Sequence, residues 1–269
     1  MATLKKWIGL GLGTALIGSS LAGCGGEGEG GENGEAAVTD EAPSGEQGEG
    51  EGEGGESGES GEGEGGEGEA GHSMGDLPVS QRLAFMSGHV EAGLALYRAG
   101  EPEMAAPHLL HPVSEGYAEE REGLDALGFT PGIFEQVSQA LEEGKPASEV
   151  EPLLAQAEAN LSAMSAEAGG DPVDIIQYLM TMIAEEYTIG VTDGAITDPG
   201  EYQDAYGFAV VALKKAQALS PQLQAEVIPE LETLISLWPE PAPVPSETPA
   251  PVAQVIAQAS RVGLAFSSE

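Results

Sequence analysis

Between residues 25 and 75 the chain is almost nothing but Gly and Glu with some Ser, without Lys or Arg and with hardly a large apolar side chain. Such a stretch cannot bury enough surface to offset the entropy of ordering it, and disorder is expected. Like charges along it push it outward from random-coil dimensions. Any fold must therefore be built from residues 76–269, enough for one domain or two small ones. Carboxylates spaced by flexible glycines are poorly preorganised for any one ion, so 24–75 reads as a disordered acidic tether rather than a cation store.

Ahead of the tether stand Lys5 and Lys6, an apolar run over 7–16, and the small residues Leu21, Ala22, Gly23 and Cys24. That order is a secretory signal, and the run is too short to span a bilayer. The last four residues resemble the lipobox of bacterial lipoproteins. The resemblance implies that 1–23 is a removable signal peptide and that Cys24 becomes the acylated first residue, carrying diacylglyceryl and palmitate-type chains. Each buried methylene contributes about 0.8 kcal/mol, enough together for a firm membrane anchor. Cys24 is the only cysteine, which excludes an intramolecular disulfide. Gly25 stands where an aspartate would signal inner-membrane retention. The expected location is the cell envelope, facing the periplasm, with the outer membrane favoured over the inner.

The formal net charge is −37, and the acidity extends beyond the tether. Such a field repels nucleic acid and anionic lipid head groups, which excludes DNA and RNA as partners. A salty habitat is an alternative reason for it.

The rest is helical in period. Leu83, Phe85, Met86, Val90, Leu94 and Tyr97 form a stripe that predicts a helix over 79–99 ended by Gly100. A second run over 103–127 carries Leu109, Leu110, Val113, Tyr117 and Leu124, with Pro107 and Pro112 expected to kink or split it. Further helices fit 131–143, 148–166, 172–189, 199–219, 221–238 and 252–266, and strand-like alternation is absent. The fold class is all-α: two small antiparallel helical bundles after the tether. Gly169, Gly170, Asp171 and Pro172 place a boundary that gives domains 76–169 and 170–269, and 239–251 reads as a Pro-rich strap before the last helix.

Three of the four histidines lie close in sequence. His108, His111 and Glu115 are spaced i, i+3, i+7 and share a face if one helix runs through them. His89 precedes Gly100 by eleven residues and His111 follows it by eleven, so an antiparallel hairpin through Gly100, Glu101 and Pro102 sets them face to face. Imidazole suits iron, copper and zinc, and helical bundles build metal sites from inward-facing His and Glu. The candidate metal ligands are His89, His108, His111 and Glu115. Pro112 works against the spacing, and the alternative is a polar hairpin seam with Glu115 as a surface carboxylate. No Ser-His-Asp or Cys-His arrangement and no Gly-rich phosphate loop after a strand is visible, so no catalytic residue and no enzyme activity are expected. Asp193 and Gly194 read as a turn, and Asp198 with Glu201 as a capping box with Pro199 opening the helix, so calcium need not be invoked.

The stretch from Asp174 through Tyr178, then Glu185, Glu186 and Tyr187, then Gly194 and Glu201 with Tyr202, resembles the extracytoplasmic helical region of bacterial high-affinity iron permeases. In that pattern a helix ends in Asp-Tyr, a Gly-bearing loop follows, and Glu-Tyr opens the next helix; here Glu186 replaces the aspartate. The resemblance covers about residues 172–266. It implies an accessory module from a metal-uptake setting, with Glu185, Glu186, Tyr187, Glu201 and Tyr202 facing iron, unless the tyrosines merely pack and the glutamates cap or solvate. The permease's transport motif is absent, so transport is not implied.

The expected function is a membrane-anchored, extracytoplasmic, non-enzymatic metal-binding or metal-uptake accessory protein. Iron is favoured, with copper and zinc open. Its partners are the membrane, through the lipid, and a metal-uptake or other envelope protein. The alternative is a helical scaffold that docks another envelope protein; it would leave the histidines scattered or exposed. The lipobox reading predicts that Cys24→Ser yields an uncleaved, unacylated chain that leaves the membrane fraction; unchanged membrane fractionation of that variant would contradict it.

Overall fold

The computed structural model describes residues 76–114 and 123–267; Cys24, the signal, the Gly/Glu-rich stretch and Glu115 lie outside them. Among the described residues there are eight α-helices: α1 Val79–Ala99, α2 Pro102–Leu110, α3 Pro131–Glu142, α4 Ala147–Ala168, α5 Pro172–Gly190, α6 Pro199–Ala216, α7 Pro221–Ile235 and α8 Val252–Ala265. The all-α expectation holds, and all of these helices fall within one compact unit, 60–269.

Local chemistry sets most of the helix ends. At Gly100 a φ of 90° turns the chain left-handed and lets its N–H reach the Tyr97 carbonyl, 3.0 Å away. Three helices open on proline after a capping side chain. Asp171 accepts from Val173 N at 2.9 Å, Asp198 from Gly200 N at 3.0 Å, and Ser220 from Leu223 N at 3.4 Å.

The expected break of the second run falls at Pro112 and not at Pro107, and one short element was not foreseen. Pro107 is absorbed within α2, but the helix stops at Leu110 and tightens into a 3₁₀ turn over His111–Val113, around Pro112. Proline lacks the N–H that would continue the ladder, and its ring crowds the carbonyl four residues back. His108 and His111 are therefore not successive positions of one regular helix. A two-stranded ribbon also follows α5: β1 Val191–Thr192 pairs antiparallel with β2 Ala195–Ile196. Asp193 and Gly194 turn between them at φ 53° and 79°. Strands of two residues leave no alternation to read.

The most consequential difference is α1. It is buried on nearly every face rather than on one stripe. Leu83, Met86, Val90, Leu94 and Leu96 join one core cluster with α2, α3 and α4 residues, whereas Ala84 and Phe85 join a second with α5 to α8 residues. The face turned to α6 is made of small residues, Ala84, Gly88 and Ala92, spaced i, i+4, i+8. The two backbones nearly touch there: a methyl group on Gly207 would lie 2.0 Å from the Gly88 carbonyl oxygen, and one on Gly88 would lie 2.0 Å from the Phe208 ring. Gly93 does the same for α2, where a methyl group would meet Leu109 Cγ at 2.8 Å and the Ala105 carbonyl oxygen at 3.0 Å.

In the second cluster Trp238 and Tyr187 tie down the Pro-rich strap. Trp238 Nε1 donates to the Tyr202 carbonyl at 3.0 Å, and Tyr187 Oη donates to the Ala250 carbonyl at 2.8 Å. No helix among the described residues is long and apolar enough to cross a membrane.

Gly207→Ala should destabilise the chain by about 3 kcal/mol, because backbone rather than a flexible side chain must give way. Gly263→Ala, in α8 with nothing within 4 Å of the added methyl, should instead stabilise by about 0.5–1 kcal/mol. Urea unfolding of the two variants checks both signs.

Candidate metal centre

The α1–α6 crossing puts His89, next to Gly88, opposite Asp204, one turn before Gly207. The approach of α2 at Gly93 adds His108. Both imidazoles meet the same carboxylate oxygen: His89 Nδ1 and His108 Nδ1 each lie 2.9 Å from Asp204 Oδ1. His108 Nε2 lies 2.8 Å from Gln203 Oε1, so α6 holds that ring at both nitrogens. His111, from the 3₁₀ turn, stacks on His89 with ring centroids 3.4 Å apart and planes at 15°. The hairpin through Gly100 thus does set His89 and His111 face to face. All three histidines and Asp204 are less than 9% exposed.

Phe85 and Phe208 close the apolar side, each edge-on to His89 at 4.7 and 5.3 Å between centroids. Within electrostatic reach of Asp204 and His89 lies a carboxyl pair: Glu186, buried near the end of α5, shares a hydrogen bond with half-buried Glu201 in the first turn of α6. The capping box is accordingly half used. Asp198 caps α6, while Glu201 turns to Glu186.

Burial pushes the Asp204 carboxyl upward, but the positive charges of His89 and His108 and their hydrogen bonds outweigh it and hold the group well below the usual carboxylate range. His111 moves the other way for an imidazole. Burial, then the charge of His89, depress it well below 6.5; Asp204 opposes this and His108 adds to it. Burial raises Glu201, against the hydrogen bond from Glu186, and the negative charges of Asp204 and Asp198 raise it further. At neutral pH the centre therefore offers an ionised Asp204 and a neutral His111.

One ligand atom each from His89, His108 and Asp204 can be chosen so that all lie within 4.8 Å of one another. Two donors held about 2.1 Å from one ion at tetrahedral or octahedral angles stand about 3.0–3.4 Å apart, close to the 2.9 Å seen between nitrogen and oxygen here. Imidazole nitrogen with carboxylate oxygen suits iron, zinc or copper. The residues present are chemically suited to such an ion, and their spacing is compatible with one.

Of the four ligands expected from sequence, the structure brings together His89, His108 and His111; Glu115 lies outside the described residues. Asp204 and Gln203 were missed. The readable signal was Asp204 itself, an acid four and eight residues before Phe208 and Ala212 on the buried stripe of α6. Among the residues implied by the iron-permease resemblance, Glu186 and Glu201 border the centre. Glu185 is half-buried, with its carboxyl raised by burial. Tyr187 and Tyr202 pack against Trp238, with centroids 5.2 and 6.1 Å from it. Burial pushes the Tyr202 phenol up to about 12, and raises Tyr187 as well.

A family model described as the iron permease-associated four-helix bundle domain matches residues 171–262, less than half of the chain. The match takes in α5, α6, α7 and most of α8. It includes Glu186, Glu201, Gln203 and Asp204; the three histidines precede it. Comparison with curated proteins and with solved structures gives no match.

The depressed His111 gives a pH dependence of known sign. Below its ordinary value of 6.5 the unfolded chain takes up a proton that the folded chain refuses, so its contribution is full above pH 6.5 and is lost as pH falls toward the folded value. The loss is about 1.4 kcal/mol per pH unit in that window. His111→Asn should flatten the metal-free stability profile between pH 6.5 and 5; an unchanged slope by urea unfolding would contradict the assignment.

Proposed function

We propose that this chain is a lipid-anchored, extracytoplasmic, non-enzymatic protein that binds a metal ion, iron foremost, at His89, His108 and Asp204, and serves a metal-uptake membrane protein. The observation that carries the reading is the convergence of two buried imidazoles, from α1 and α2, on one buried carboxylate from the iron permease-associated segment. Burying Asp204 is costly unless cations meet it. In the metal-free chain the two imidazoles meet it at 2.9 Å; a bound ion would bring positive charge to the same oxygen. His111, already neutral and stacked on His89, is a further nitrogen beside the ion. Copper and zinc fit the same donors, and the iron preference rests on the matched segment alone. The convergence of the histidines also favours this reading over a docking scaffold, which has no need of it. The membrane anchor is Cys24, through the lipobox, with 24–75 as the spacer that holds the helical body off the surface.

An ion bound only by the folded chain stabilises it by about 2.7 kcal/mol when free metal is a hundredfold above its dissociation constant. Melting should rise with ferrous iron, zinc or copper near pH 7.5, and the rise should fade as pH falls through about 6.5, where protons compete for imidazole. In His89→Gln with Asp204→Asn the rise should vanish, although the acidic tether is still present. Equal rises in the parent and the double variant would remove the centre from consideration.

A further inference from the structure

A second candidate site is an open cavity of about 580 Å³ lined by α1, α4, α5 and α6. The sequence carries nine Lys and Arg in all, against 46 Asp and Glu, yet two adjacent lysines line this cavity, Lys214 and Lys215 in the last turn of α6. A cation in a last turn complements the helix dipole, and for Lys214 that accounts for much of its role. Lys214 also donates to Glu91 Oε1 at 2.5 Å.

Lys215 behaves differently. It is half-buried and turns onto α4, where its ammonium donates to the Ser165 hydroxyl. Among the described residues no carboxylate lies within ion-pair distance of it. Burial lowers its pKa, the sign of a cation that has lost water without gaining an anion. The other acids of the lining are already matched, Glu91 by Lys214 and Glu158 by Arg98 at 3.1 Å. The cavity is therefore short of one negative charge. Leu161, Ile175 and Val211 add apolar side chains to the lining, beside the hydroxyls of Ser87 and Ser162. A ligand with one anionic head and an apolar body satisfies both surfaces, and the volume falls within the usual range for small-molecule sites.

We propose that the cavity between α1, α4, α5 and α6 binds a small amphipathic carboxylate, its head on Lys215 and Ser165 and its apolar body against Leu161, Ile175 and Val211. The site is independent of the metal centre. The two share no residue: the donors there are His89, His108 and Asp204, whereas this cavity is lined by α4, α5, the C-terminal turn of α6 and, on α1, Ser87 and Glu91 to either side of His89.

The test uses the mature chain and octanoate as the probe, with octanamide as its uncharged counterpart, followed by calorimetry and by chemical-shift changes. Octanoate should bind, octanamide at least tenfold more weakly, and citrate, which has charge without an apolar body, at least tenfold more weakly as well. Lys215→Met, which keeps the length and removes the charge, should weaken octanoate at least tenfold with an unchanged melting profile. Lys145→Met, at an exposed lysine paired with Glu143, should not. His89→Gln should bind octanoate like the parent. Absence of octanoate binding, equal binding by Lys215→Met, or equal binding of octanamide would overturn the proposal.

Discussion

The backbone contact between α1 and α6 at Gly88 and Gly207 is the constraint on which the rest depends. Helices packed through ordinary side chains stand 8–10 Å apart. Here the absence of two Cβ atoms lets one backbone reach the other, and only that spacing brings a side chain as short as aspartate up to an imidazole on the neighbouring helix. Gly93 repeats the device toward α2. The polar centre is thus a product of packing: three glycines, none with a chemical function, decide whether His89, His108 and Asp204 share a point in space.

Electrostatics then explain why such a centre is tolerated. A lone buried carboxylate costs several kcal/mol, and in this chain two imidazoles lie 2.9 Å from the same oxygen to offset it. His111 stacks on His89 and is kept neutral, first by burial and then by the charge of His89. The Glu186–Glu201 pair borders this interior, Glu186 buried on α5 and Glu201 half-buried in the first turn of α6.

Much of the scaffold could be read from punctuation. Gly100 ends α1, and Pro172, Pro199 and Pro221 each open a helix behind a capping residue, because these positions are fixed by backbone chemistry that does not depend on tertiary contacts. Counting outward from Gly100 was enough to oppose His89 and His111. Legibility failed where packing decides. The small-residue face of α1 carries no hydropathy signal, so a helix buried on all sides looked one-sided, and without its partner α6 there was no reason to look for Asp204. Pro112 moved His111 off the regular helix, yet the turn still delivers its ring to the centre. The carboxyl half came to notice through the Glu-Tyr pattern of the second half, although Asp204 lies outside that pattern.

The segment that matches the iron permease-associated bundle supplies the carboxylates, and the preceding helices supply the imidazoles, so the centre exists only where the two meet. X-ray absorption at the iron edge of the iron-loaded full chain tests that union most directly. The account predicts a first shell of nitrogen and oxygen at about 2.0–2.2 Å with the outer-shell scattering of at least two imidazole rings, reduced in His89→Gln. A shell of oxygen alone, without imidazole scattering and unchanged in that variant, would place the iron on carboxylates elsewhere in the chain and contradict it.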